Sequence, residues 1–359
     1  MKIGIVTLYA ANNYGAYLQA FALQKYLRNC GHHPVFIKHN ARKPIRTLLA
    51  HLKNELTHFR LNNLFFVCIR HGGNIPYLNK FDYCSIKKAN SLDMVILGSD
   101  EIWNTSRKSI YENKVLFGYG INNITISYAP SINNAKAEDF QKKPEIIDML
   151  KKIDCISVRD ERSRKIISSL LDRKIVTVVD PTLLLEKSKW ESFEKKILLP
   201  TRFMMLYLYA IEDYALDFIE QLQDYADEKK IITVSSFAKI KWADKNIGMT
   251  PFQFLYAMHH SDVVVTDSFH GLMFALIYQK NFIIPKAASS KLQDTITQYH
   301  LEDRVFSSER KVKNILQQNP DYNKINKLMN YNVNSSKQYL SHCVQKICDL
   351  VTPSITEEK

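Results

Sequence analysis

Four short constellations in this chain combine residue types that do chemistry, and each follows an apolar run that reads as a β-strand. Asp267-Ser268-Phe269-His270-Gly271 follows Val263–Thr266. A histidine at a strand-to-helix turn can give or take a proton near neutral pH. Ser268 has no GxSxG elbow around it, so it is not a hydrolase nucleophile. Arg159-Asp160-Glu161-Arg162 follows Cys155–Val158. An arginine at a strand end clamps carboxylate or phosphate. The same four residues also read as a salt-bridged helix start, with Asp160 and Glu161 complementing the dipole. Gly98-Ser99-Asp100-Glu101-Ile102-Trp103-Asn104 follows Met94–Leu97. Two acids, a hydroxyl, an indole and an amide suit hydrogen bonding to a sugar and stacking on it. A helix cap by Ser99 or Asp100 is the other reading. Asn12-Asn13-Tyr14-Gly15 follows the first strand and opens a helix whose free N–H groups attract anions. It is neither a GxGxxG nor a Walker loop, and a plain connector stays open. Lys286 and Lys291, after Phe282–Ile284, add cations on the same side. The chemistry implied is transfer of, or to, something anionic. The carboxylates are dispersed and no zinc-ligand spacing occurs, so no metal site is expected.

These groups need a scaffold that brings strand ends together. Apolar, β-rich runs at Lys2–Leu8, Val35–Lys38, Met94–Leu97, Ile124–Tyr128, Cys155–Val158 and Ile175–Val179 alternate with helical patterns. A second set follows at Met204–Tyr209, Ile231–Val234, Val263–Thr266 and Phe282–Ile284. Nearly continuous apolar strands are those covered on both faces, and strand–helix–strand repetition gives parallel α/β sheets. Helices are expected at Ala16–Cys30, stopped by Gly31, and at Tyr214–Lys229 and Gly271–Gln279. Pro181 and Pro200 bracket a charged stretch that reads as a junction. The expectation is an α/β protein of two Rossmann-like domains facing a cleft. Residues 1–185 would form the first domain, 200–335 the second, and 336–359 a C-terminal helix and tail. In such sheets ligands bind at the carboxyl ends of the strands.

Composition narrows the class. Lys and Arg number 49 against 36 Asp and Glu, a net charge of +13. Between Lys38 and Lys88, ten basic residues face only Glu55 and Asp82, a local surplus of +8. Within it, 42–73 interleaves leucines and phenylalanines with the charges, a pattern of anionic membrane surfaces or partners; a solvated basic face or ordinary packing on the sheet is the alternative. Helix-turn-helix, RRM, zinc-finger and KH signatures are missing, which argues against nucleic acid. Six cysteines without a CxxC pair fit a reducing cytoplasm. A single lysine before the first apolar run reads as a strand start rather than a leader, and no run reaches membrane-spanning length.

The same segments resemble the polysaccharide pyruvyl transferase family. The resemblance runs from Met1 to about Arg304 and rests on NNYGAYLQAFALQKYL, the FD…GSDEIWN segment, SYAPS, ISVRDERS, the VVDPTLL segment and SDVVVTDSFHGLMFALIYQKNFI. It implies a GT-B-like pair of Rossmann-like halves, phosphoenolpyruvate as donor with no further cofactor, and a sugar hydroxyl pair as acceptor. The product is a pyruvate ketal on a cell-surface glycan (capsule or exopolysaccharide) or its lipid-linked precursor. On that resemblance the family's functional arginine falls on Arg159 and its histidine on His270. A basic residue falls on Lys291, where many members read Ser-x-Arg, and Glu101 stands where Gln is more usual. The expected roles are catalytic for His270, Arg159 and Lys291. Donor contacts would be Asn12, Asn13, Gly15, Ser268 and Lys286. Acceptor contacts would be Ser99, Asp100, Glu101, Trp103 and Asn104. The expected location is cytoplasmic, at the inner membrane face through 42–73. A nucleotide-sugar glycosyltransferase of the same architecture is the rival reading.

Overall fold

The computed structural model describes residues 1–10, 13–39, 44–57, 64–209, 214–287 and 289–351. Two five-stranded parallel sheets carry the fold. The first contains β1 (Lys2–Val6), β2 (His33–Ile37), β3 (Tyr83–Cys84), β4 (Met94–Leu97) and β5 (Thr125–Ser127), in the order β3-β2-β1-β4-β5. A short pair, β6 (Ser157–Val158) and β7 (Val176–Thr177), adjoins it through a bridge between Ile126 and Cys155. The second sheet contains β8 (Phe203–Tyr207), β9 (Ile232–Ser235), β10 (Lys245–Asn246), β11 (Val263–Thr266) and β12 (Asn281–Ile283), in the order β10-β9-β8-β11-β12. The two orders are the same half-Rossmann winding, which reverses direction beside its first strand and opens a crevice there. The expected α/β architecture is what forms.

The central strands are apolar because helices cover both faces: β1, β4, β8 and β11 are buried almost throughout. The helix Tyr14–Asn29 goes further than the single apolar stripe expected of it. Every residue from Tyr14 to Gln24 is buried, which marks a helix with protein on all sides. One side packs on the first sheet. The other carries aromatic rings into the second half: Tyr14 stacks on Phe254 at 4.7 Å, and Phe21 meets Phe252 at 5.2 Å. The Tyr14 hydroxyl donates to the Ser236 carbonyl. Gly31, with φ +82°, sits just past the helix end, as the glycine stop predicts.

The segment at one expected boundary is not a free linker, and the other expected boundary runs through a helix. The segment expected to separate the halves is itself docked, with Trp190 fully buried against Phe21 and Phe274. The boundary expected at 335/336 falls inside one helix, Tyr322–Val351. That helix touches both halves. Tyr322 reaches the Ala275 and Lys280 carbonyls, the Ser336 hydroxyl accepts from the Val179 N–H, and the Tyr339 hydroxyl donates to the Ser127 carbonyl. Among the described residues, no helix is long and apolar enough to cross a membrane. Part of the basic window forms two helices, Pro44–Thr57 and Leu64–Gly72; Arg42, Lys43 and Arg60 lie outside the described residues.

Candidate active site

The carboxyl ends of β4, β6, β7 and β11 converge on one buried carboxylate, Asp180. Its side chain is fully buried. Oδ1 accepts from the Thr182 N–H at 3.0 Å and the Thr182 hydroxyl at 2.8 Å. Oδ2 accepts from Arg159 Nη1 at 2.9 Å and from the Ser99 hydroxyl at 3.3 Å. His270 Nε2 lies 3.5 Å from the same oxygen, an electrostatic contact without hydrogen-bond geometry. Burial alone would push the Asp180 carboxyl up. The charge and proximity of His270, then Arg159 and the Thr182 N–H, outweigh it and hold the group far below the ordinary carboxylate range. Arg159 is pushed down by burial and more strongly up by Asp180, Asp100 and Asp160, so its guanidinium stays charged. Asp100 Oδ1 stands 3.6 Å from Arg159 Nη2.

The cluster is not closed on itself. Arg159 Nε and Nη2 and His270 Nε2 are buried and make no hydrogen bond. Buried donors without acceptors are costly unless something else supplies them. A cavity of about 260 Å³ has Arg159, Asp180, Phe269 and Ser336 of the helix Tyr322–Val351 in its wall. The Arg159 guanidinium lies over the Phe269 ring at 4.4 Å, a cation–π contact that fixes its plane.

Glycine at position 15 is required by this arrangement. A Cβ there would come within 2.2 Å of His270 Nδ1. The N-terminus of the Tyr14–Asn29 helix therefore abuts the imidazole, and Gly15, expected as a donor contact, lies beside His270. Gly271 is held likewise: a Cβ would strike the Thr266 hydroxyl oxygen at 2.1 Å. Asn13 caps the first helix, accepting from the Ala16 N–H, and Ser268 caps the helix Phe269–Ile277, accepting from the Gly271 N–H. Both side chains shape the helix ends that border the cluster. Asn12 lies outside the described residues.

The acceptor candidates divide. Ser99 and Asp100 turn inward to Asp180 and Arg159. Glu101 faces the second half, where Lys291 Nζ is 2.5 Å from its Oε1; Asn104 and Arg107 hold the other oxygen. Burial raises the Glu101 carboxyl less than Lys291 and Asn104 lower it, so it too lies far below the usual range. Lys291 is thus already paired across the halves. Trp103 is corrected: it is fully buried and its indole N–H donates to the Leu116 carbonyl, so it packs in the core of the first half and offers no face to a sugar. Lys286 is exposed after β12 and joins none of these contacts. Of the ISVRDERS acids, Asp160 caps the helix Glu161–Leu171, the dipole role expected as an alternative. The residue missed by sequence reading is Asp180, with its support Thr7 and Gln19. Thr7 donates to the Ser99 carbonyl and accepts from Gln19, both buried. The only available signal was the acid in the VVDPTLL segment.

These groups lie on the strand ends that the family profile spans. The polysaccharide pyruvyl transferase profile matches residues 13–284. The chain belongs to that family. Membership places it among polysaccharide-modifying transferases. A search of curated proteins finds no significant match. Solved structures share its fold at low identity. A protein assigned as a UDP-N-acetylglucosamine 2-epimerase from Listeria monocytogenes is 9% identical, over 93% of this chain and 90% of that one, with TM-score 0.52. An alpha-glucosyltransferase in complex with UDP and DNA is 10% identical, over 98% and 100%, with TM-score 0.51. A UDP-N-acetylglucosamine 2-epimerase from Rickettsia bellii is 11% identical, over 99% and 98%, with TM-score 0.50. The likeness is one of fold, two Rossmann-like halves in the GT-B arrangement.

Proposed function

We propose that this family member transfers the enolpyruvyl group of phosphoenolpyruvate onto two hydroxyls of a sugar, in a cell-surface polysaccharide or its lipid-linked precursor, forming a pyruvate ketal. The supporting observation is the buried Arg159–Asp180–His270 cluster, whose guanidinium and imidazole keep nitrogens without hydrogen-bond partners at the strand ends. Arg159 and the N-terminus of the Tyr14–Asn29 helix hold the donor's anionic groups; Lys291 adds charge once the anion competes for it with Glu101. A proton delivered to the methylene carbon makes it a methyl and leaves C2 electron-poor. One sugar hydroxyl attacks C2 and loses its proton. The C2–O bond to phosphate breaks, and inorganic phosphate departs. The second hydroxyl closes the ketal and loses its proton. His270 is the proton-transfer group, held by ionised Asp180, and positioned acid–base catalysis contributes about 10²–10⁴-fold.

Phosphate release from phosphoenolpyruvate, with and without a panel of lipid-linked and aryl glycosides, tests this. Acceptor-dependent release is expected, reduced about 10²–10⁴-fold in His270→Ala at little change in Tm. Equal loss of stability and activity in that variant would remove the catalytic role. Acceptor-dependent release of the nucleotide from a nucleotide sugar, with no phosphate released from phosphoenolpyruvate, would favour the glycosyltransferase reading.

Contact with a lipid-linked acceptor is the second part of this reading. The helix Pro44–Thr57 exposes Ile45, Leu49 and Leu56 along one stripe beside exposed Lys53. An apolar stripe within a basic field docks on anionic headgroups, each basic residue contributing about 1 kcal/mol. Vesicles containing phosphatidylglycerol should co-sediment the wild type, and Leu49→Glu should abolish this without lowering Tm. Equal sedimentation of both proteins would sink the idea.

A further inference from the structure

The segment joining the two sheets carries a second cluster, at the opposite end of β11 from His270. Glu194 follows the short helix Lys187–Glu191, and His259 and His260 end the helix Pro251–His260, just before β11. His259 Nδ1 is 3.0 Å from Glu194 Oε1, and His260 Nε2 is 3.7 Å from Glu194 Oε2. The ligand atoms of all three residues fall within 4.8 Å of one another. The far side of the His259 ring is held as well. Its Nε2 lies 3.5 Å from Glu191 Oε1, its ring stacks on Tyr278 at 4.7 Å and 11°, and its backbone carbonyl accepts from Lys280 Nζ.

We propose that Glu194, His259 and His260 form a binding site for a divalent transition metal of the zinc class. Two imidazoles and one carboxylate are a zinc-type donor set, and imidazole nitrogens select against magnesium and calcium. A tetrahedral ion with bonds of about 2.0–2.2 Å needs its ligands roughly 3.4 Å apart. Glu194 and His259 already meet that, and His260, whose side chain is about half exposed at 48%, has room to turn inward. The Glu191 carboxylate, 3.5 Å from the other nitrogen of His259, stands on the side from which a carboxylate orients a metal-ligating imidazole. The helix end also directs partial negative charge toward the ion. Lys187 and Lys280 lie close by and oppose a cation, which lowers the affinity expected. A metal here pins the connecting segment onto the second half, away from the reacting groups. It makes no claim on the transfer chemistry and stands or falls separately from it.

The test uses the full chain, stripped with chelator, its cysteines alkylated, and titrated with zinc by calorimetry and with cobalt by visible absorption. One zinc per chain is expected, with a rise in Tm and the d–d bands of cobalt bound to nitrogen and oxygen. Glu194→Gln and His260→Ala should each weaken binding more than about tenfold and lose the Tm rise, and Glu191→Gln should weaken it by about 10-fold or more. His260 is partly exposed, so its variant reports on binding and not on folding; the metal-free Tm of each variant confirms this. No binding by the wild type, or unchanged affinity in both Glu194→Gln and His260→Ala, overturns the site.

Discussion

Asp180 carries more of the site than any residue around it, because Arg159, Ser99 and His270 all address one of its oxygens. Asp180→Asn keeps the shape and removes the charge. Breaking a fully buried pair by removing one partner costs about 3–5 kcal/mol, since the other charge is left without compensation. Chemical denaturation should show a loss of that order, together with loss of phosphate release. The sign of the pH dependence follows from the depressed carboxyls of Asp180 and Glu101. A carboxyl lowered by folding contributes stability that is complete above its unfolded value, about 4, and drains away as pH falls further. Melts across pH 7 to 2 should therefore be flat on this account down to about pH 4 and fall below it, with a shallower fall in Asp180→Asn. An equal slope in the two proteins would contradict this.

At the scale of elements, the first helix shows what a sequence conveys and what it withholds. Its length and its glycine stop were legible, because apolar spacing and a left-handed residue are local properties. Its burial on all sides was not, because that depends on Tyr14 and Phe21 meeting rings of the second half. The central strands were legible as apolar runs, whereas β3 and β10 have two residues each and leave no periodic trace. At the site, strand-end position singled out Arg159 and His270, which the structure brings to the same carboxylate, and Glu101, which it pairs with Lys291. It misjudged Trp103, since an indole serves a core and a sugar platform equally and only packing decides. Likewise, nothing local joins Glu194 to His259, 65 positions later. The close approach of the first helix to His270 gives a sharp prediction. Gly15→Ala places a methyl 2.2 Å from Nδ1, so the imidazole or the helix must shift. Overpacking of this kind costs about 1–3 kcal/mol. Activity should fall further than Tm if the displaced ring has the proton-transfer role proposed for it; full activity in this variant would show that His270 is free to move.

Across the whole molecule, the Glu101–Lys291 pair links the first half to the helix Ser290–Tyr299 of the second. Charged hydrogen bonds of this type contribute about 1.5–3 kcal/mol. Lys291→Met should lower stability by that amount, Glu101→Gln by less, and the double variant by less than their sum, as a double-mutant cycle in denaturant will measure. Strict additivity would mean that the pair does not couple the halves. The helix Tyr322–Val351 has a consequence of another kind, in time. Ser336 is made 157 positions after Val179, and Tyr339 comes 212 positions after Ser127. During synthesis the first half emerges and collapses without either partner, as domains do when the N-terminal one is made first. The wall of the cavity beside Arg159 is completed only when this helix has left the ribosome. A nascent chain can thus hold a finished first sheet and still lack a finished cavity until the helix Tyr322–Val351 has emerged and docked.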